Sequence, residues 1–283
     1  MRQISRVLEV ARSNLTEQMV RLDSDPEAVV RRYTKADDTW ILPMIRKITD
    51  ERPTYGYRRI TQLLNLELEN EGKSRINHKR VFRIMKVANL LLQRHTGKPT
   101  RTHDGKIVTL HSNTRWCSDG FAIQCWNAER VHVAFSLDTC DREAMRFIAS
   151  TIGVDGEMIR DLMVETIEYR FGKVTKAPKR VQWLTDNGPG YIARETVELA
   201  RSLNLEPCTT PSYSPESNGM AEAFVKTFKR DYVWNANLSD ARTVMSQLDG
   251  WFEDYNEKAP HKGLRMLSPR QFRRKLGEQQ LTG

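Results

Sequence analysis

Apolar positions recur at helical spacing from about residue 39 to residue 92. Ile41, Leu42, Ile45 and Ile48 fall at i, i+1, i+4 and i+7, and the run stops before Pro53. After turn residues 54–56, Ile60, Leu63, Leu64 and Leu68 define a second amphipathic helix. Asn77 is placed to cap a third, with Val81, Ile84, Met85 and Ala88 facing inward. From Thr114 the period shortens to that of strands. WCSDGFAIQCW and VHVAFSLD read as two strands joined through NAER. A helix is expected over 155–169, with Ile159, Leu162, Met163, Thr166 and Ile167 on one side. Then come a short buried strand VQWLTDNG, a helix over 194–203, a strand LEPCTT and a helix over 218–232. Beyond Ser239 the pattern is helical again. Strands first, then alternating helix and strand, predict an α/β fold with a mixed sheet flanked by helices, preceded by a small helical domain.

The flanking stretches carry less pattern. Residues 1–37 hold a short apolar group (Ile4, Val7, Leu8, Val10, Ala11) that suits one small helix, with no sustained heptad. Residues 94–112 lose periodicity and mix Gly, Pro and Thr with basic residues, which reads as a linker able to track a phosphate backbone. The expected division is 1–37 helical segment, 38–93 helix-turn-helix-like domain, 94–112 basic linker, 113–235 catalytic core and 236–283 basic helical extension ending in RQFRRK.

Charge adds a partner class. The chain of 283 residues has 45 Lys+Arg against 36 Asp+Glu, a formal charge of +9, which draws it to polyanions and to nucleic acid first. A basic surface kept for solubility is the plainer alternative. The third helix carries Lys79, Arg80, Arg83 and Lys86 outward, so the three helices fit a helix-turn-helix-like DNA binder or, alternatively, a small bundle with a solvated basic face. Four cysteines (Cys117, Cys125, Cys140, Cys208) lack zinc-ligand spacing and read as small buried hydrophobes in a reducing compartment. No apolar run approaches the ~20 residues needed to span a membrane, and the first residues hold no signal-peptide core. The expectation is a soluble chain, cytoplasmic or nucleoid-associated.

Three carboxylates stand out. Asp119 lies inside the first strand between Trp116 and Phe121, where a charge is costly without a cation or hydrogen bonds. Asp186 follows the strand VQWLT, at the end where α/β sheets bind ligands. Glu222 sits on the helix after the loop SYSPESNG. Oxygen ligands from two strands and a helix suit Mg²⁺ or Mn²⁺, and two such ions favour in-line displacement at phosphorus. Singly, each residue has a plainer reading: a turn at Asp186-Asn187-Gly188, a hydrogen-bonded strand residue at Asp119, surface decoration at Glu222.

The sequences LTDNGPGY and SPESNGMAEAFVKTFKRDY, with 35 residues between Asp186 and Glu222, together with WCSDGF at 116–121, closely resemble the integrase-like core of the DDE transposases of bacterial insertion sequences. The nearest likeness is to the second-frame product (OrfB) of the family encoded in two overlapping frames. YGYRRITQLL with NHKRVFRIMK resembles its preceding helical domain, and YNEKAPHKGLRMLSP its closing motif, so the resemblance spans roughly 38–275.

The resemblance implies an RNase H-like fold and a DDE triad of Asp119, Asp186 and Glu222 holding two Mg²⁺ (or Mn²⁺). Water would cut at the element's end and the freed 3′-hydroxyl would attack another strand. It also implies that Lys226 and Lys229, at i+4 and i+7 from Glu222, hold DNA phosphates, with Arg230 beside them; an ordinary Glu–Lys surface pair is the alternative. The implied partners are double-stranded DNA (element ends and target), further copies of the chain on that DNA, and the first-frame product, separate or fused. A nuclease on the same fold and a DNA-binding regulator are the rival functions. Pro189 stands where the family usually has a small polar residue, Arg265-Met266 where it has Gly-Tyr, and the zinc domain of integrases is absent.

Overall fold

Three helices open the described chain: α1 (Ile41–Glu51), α2 (Tyr57–Asn70) and α3 (His78–Val87). The computed structural model describes residues 38–93, 109–209 and 219–281. The expected segment over 1–37 and most of the linker lie outside these. The apolar stripe predicted for each helix is the one that packs. Ile41, Ile45 and Ile48 meet Ile60, Leu64 and Leu68, and Val81, Ile84 and Met85 close the cluster. Asn77 caps α3 by accepting the Lys79 N–H, while Ala88 ends the helix rather than entering the core. Asn65 pins the α2–α3 loop, accepting from the Ile76 N–H at 2.7 Å and donating to its carbonyl at 3.1 Å.

The sheet has five strands in the order β3-β2-β1-β4-β5: β1 (Arg115–Gln124), β2 (Arg130–Asp138), β3 (Ala144–Ser150), β4 (Val181–Thr185) and β5 (Leu205–Thr209). β1 to β3 are antiparallel neighbours, while β4 and β5 run parallel to β1. The resulting mixed sheet, flanked by helices, is RNase H-like. β3 was not expected from the pattern. It is an edge strand, AMRFIAS, with buried residues at its first two positions alone, so it lacks the alternation of a half-buried strand.

Both faces of the sheet are covered. α4 (Gly156–Phe171) and α6 (Arg194–Ser202) pack on one side around Trp116 and Trp183, and the short α5 (Pro189–Ile192) joins them. α7 (Gly219–Phe228) and α8 (Ala241–Glu257) cover the other with a run of aromatic contacts, among them Phe135–Phe224 at 4.4 Å and Phe147 stacked on Phe252 at 4.2 Å. Trp116 and Trp183 are both buried in the core. Of the cysteines, Cys117 and Cys125 are buried and Cys140 and Cys208 half-buried, all free. None of the helices among the described residues is long and apolar enough to cross a membrane.

The helical stretch beyond Ser239 divides in two, α8 and α9 (Pro269–Leu281), around a turn where Arg265 and Met266 both take left-handed backbone. α9 is fastened to the core by charge. Arg170, fully buried at the end of α4, bonds Asp138 at 3.0 Å and also Asp141 and Glu143. Glu143 accepts in turn from Tyr169 (2.6 Å), Arg270 (3.1 Å) and Arg273 (2.9 Å). Burial alone would raise the Glu143 carboxyl, but Arg170 and its other partners hold it below the usual range. Three carboxylates thus meet three guanidiniums in a closed network. Replacing Arg170 with Met should cost about 3–5 kcal/mol, because buried carboxylates lose their main partner; urea denaturation measures it.

His261 lies in the same turn, with its ring edge-on to Tyr255 at 4.9 Å and its Nε2 enclosed. Burial, with the nearby Arg59 and Arg142 charges, lowers its pKa to about 3, against a smaller opposing effect of Asp231. The folded imidazole is therefore neutral, and unfolding binds a proton below the ordinary value near 6.5. Its contribution is present above that value and is lost as pH falls towards 3. Between pH 6.5 and pH 5 the loss should be about 1–2 kcal/mol. Melting curves of wild type and His261→Asn across that window should show a shallower acid slope for the variant.

Candidate active site

β1 and β4 pair in parallel with Arg115 opposite Gln182, Trp116 opposite Trp183 and Cys117 opposite Leu184. Carried two residues further, the same register sets Asp119 beside Asp186. Side-chain alternation then fixes the face. Cys117 and Phe121 both point into the core under α7 and α8, so Asp119 between them points to that side. Leu184 points there too, and continuing the alternation past Thr185 turns Asp186 the same way. α7 lies on this face through Ala221, Phe224 and Phe228, and Glu222 emerges beside Ala221 at the exposed edge.

The electrostatics agree with this placement. The Asp119 carboxyl is pushed above the ordinary carboxylate range, first by burial and further by the negative charges of Asp186 and Glu222. A 2.7 Å hydrogen bond from the Gly120 N–H opposes the shift. Asp186 folds back to accept the Gly188 N–H at 2.9 Å. A Cβ at residue 188 would stand 2.9 Å from that same oxygen, so a side chain there would push the carboxylate out of this position. Pro189 fits as the first residue of α5, where its missing N–H costs nothing.

Tyr191 escaped the sequence reading although it closes the quoted LTDNGPGY. Its hydroxyl meets the Ser118 hydroxyl at 2.9 Å, on the opposite side of β1 from Asp119. Burial pushes its phenol up, the Ser118 bond lowers it, and the Asp119 and Asp186 charges raise it further, so it backs both aspartates as a neutral group. The signal was a lone aromatic in the first turn after Asp186. The loop delivering Glu222 (residues 210–218), with Tyr213, lies outside the described residues.

The basic residues fall into three settings. Lys79 and Lys86 are exposed on α3. Arg80 and Arg83 reach back to Asp38 at 2.8 Å and 2.6 Å, so they fasten α3 to the start of α1. Lys226 is exposed on the Glu222 face, and Lys229 lies over the Phe121 ring at 5.5 Å. Arg230 gives its guanidinium to Asp231 at 2.7 Å.

A hard divalent cation suits this donor set by chemistry. Burial first, and then the negative charges of Asp186 and Glu222, raise the Asp119 carboxyl, and a divalent cation at these oxygens would offset both effects. Closure of the set is a separate matter: among the described residues no three His, Cys, Asp or Glu side chains stand close enough to hold an ion.

A mixed sheet of this order, flanked by helices and preceded by a small helical unit, is the architecture of an integrase-type core, and the matching families give its class, a polynucleotidyl transferase. The family described as Integrase core domain matches residues 110–215, a second Integrase core domain family matches 203–269, and an HTH-like domain matches 35–98. The chain is 45% identical over 274 residues to transposase InsD of insertion element IS2A/D/F/H/I/K from Escherichia coli, covering 96% of this chain and 90% of that one. It is likewise 45% identical to transposase InsD of IS2-9 from E. coli K12, covering 96% and 88%. The chain belongs to the family of insertion-element transposases. Among solved structures, the catalytic core of BIV integrase is similar at 20% identity and a TM-score of 0.40, covering 60% of this chain and 99% of that one.

One consequence is measurable without any reaction. The Asp119 carboxyl is raised in the folded chain, so ionising it costs stability as pH rises past the ordinary aspartate value. Without divalent metal at pH 7, Asp119→Asn should melt higher than wild type, and the gap should close towards pH 4. Adding Mg²⁺ or Mn²⁺ should raise the melting temperature of wild type and leave the variant nearly unmoved.

Proposed function

We propose that this transposase cuts the phosphodiester at its element's ends and joins the freed 3′-hydroxyl to another strand, through Asp119, Asp186 and Glu222. The observation that carries this reading is the β1–β4 register, which sets the two aspartates side by side on the face crossed by the Glu222 helix. These three residues would hold two Mg²⁺ (or Mn²⁺) ions, which when bound neutralise charge and polarise the attacking and leaving oxygens. The Gly188 and Gly120 N–H groups each engage one oxygen of Asp186 and Asp119, orienting the carboxylates before anything binds. Tyr191 supports both aspartates from behind through Ser118.

DNA would lie along the basic positions, of which Lys79, Lys86 and Lys226 are exposed. Lys226 lies one turn past Glu222 on α7, Lys229 and Arg230 follow the end of that helix, and together they would hold the phosphates next to the scissile bond. Lys79, Arg80, Arg83 and Lys86 on α3 would engage the duplex further along, as the final helix of a helix-turn-helix-like unit does. On this reading 38–93 reads DNA, 94–112 tracks its backbone, 113–235 carries the chemistry and 236–283 braces the core. Copies of the chain would assemble on element ends, together with the first-frame product, separate or fused.

Incubation with divalent metal, pre-cleaved end DNA and target DNA should give joined product. Asp186→Asn and Glu222→Gln should each lower joining by about a hundredfold or more. Cleavage without joining in the wild type would favour a nuclease, and binding without either reaction a regulator. Lys226→Ala should weaken end binding at every salt concentration and reduce the slope of log K against log salt by about 1.

A further inference from the structure

The helix that carries Glu222 does not end in α register. After Phe228 the backbone makes a π-helical turn, Lys229–Val233. The consequence can be read from spacing. Asp231 stands seven residues after Phe224 and three after Phe228, so an unbroken α-helix would carry its carboxylate along the apolar stripe into the core. The wider turn puts Tyr232 and Val233 into the core instead and turns Asp231 aside. Single π turns of this kind are found mostly at functional sites.

Asp231 is turned towards the helical unit. Its side chain, 1% exposed, accepts from Thr54 Oγ1 at 2.7 Å and Arg59 Nη1 at 2.8 Å, as well as from its neighbour Arg230. Thr54 lies in the α1–α2 turn and Arg59 in the first turn of α2, where its guanidinium is stacked 3.4 Å above the buried Tyr55 ring. A second carboxylate repeats the arrangement one step away. Asp254 of α8 accepts from Arg52 at 2.6 Å and from the Tyr232 hydroxyl at 2.9 Å. The π turn is therefore gripped from the helical unit at two adjoining points, and an acid without its partners there would be a buried, uncompensated charge.

We propose that Asp231 is a positioning residue for Glu222. Docking of the helical unit on this carboxylate sets where the Glu222 helix lies, so that DNA engaged by the helical unit is felt at the catalytic acid. The inference rests on the reading of Glu222 given above. It adds a route from the DNA-reading unit to the site that leaves the sheet, and with it Asp119 and Asp186, in place.

The test is amide hydrogen exchange on the full chain, read beside joining kinetics on pre-cleaved end DNA. Thr54→Val removes one hydroxyl from the helical unit, and Arg59→Gln removes the charge. Each should speed exchange over residues 219–233, by about tenfold or more for Arg59→Gln, while β1 and β4 stay protected as in wild type. Joining should slow by a similar factor with KM for end DNA changed less than about twofold, and Arg59→Lys should restore part of both. Unchanged exchange over 219–233 in both variants overturns the proposal, as does faster exchange with unaltered joining. If Arg59→Gln exchanges faster throughout, Thr54→Val decides. Exchange needs no reaction, so a wild-type chain that fails to join DNA would count against the proposed function while the docking is still measured.

Discussion

β1 and β4 pair in parallel with a constant offset of 67 residues, and positions 119 and 186 differ by that number. The proposed chemistry depends on this register. A slip of one residue would turn one carboxylate to the opposite face of the sheet, where Trp116 and Trp183 pack. The register is held from both sides of the sheet. Large aromatic side chains fill the space beneath each strand, and one residue's displacement would open cavities under both.

Ion pairs tie the periphery to the core. Arg170 and its three carboxylates bind α9 to the core, and Asp231 and Asp254 bind the helical unit to it. Buried ion pairs seldom add much net stability, because desolvation consumes most of the Coulombic gain. What they add is a single allowed arrangement, since any other leaves a buried charge without a partner. Both peripheral parts are thereby held in a fixed relation to the core.

Positive charge divides between these tasks. Arg80, Arg83 and Arg230 each stand outward in the helical pattern, yet each spends its guanidinium on an acid of the same chain. Lysines at 79, 86 and 226 stay exposed. The geometry suits the chemistry: a planar guanidinium makes several directed bonds to a carboxylate, whereas an ammonium is a hydrated point charge well suited to tracking phosphates.

Local pattern was sufficient for the three helices of the N-terminal unit, with Asn77 as a cap, and for four of the five strands. Each depends on periodicity or motif within a few residues, and burial of one face enforces it. β3 stayed hidden because an edge strand rests on one neighbour and needs little alternation. Tyr191 and the π turn stayed hidden for a different reason: both are defined by partners far along the chain, Ser118 in one case and Thr54 with Arg59 in the other. The sequence by itself determined the family and the main apolar stripe of each helix in the N-terminal unit. Only the tertiary structure decided which charges face solvent and which are consumed inside, because a charge's role depends on the partner that folding brings to it.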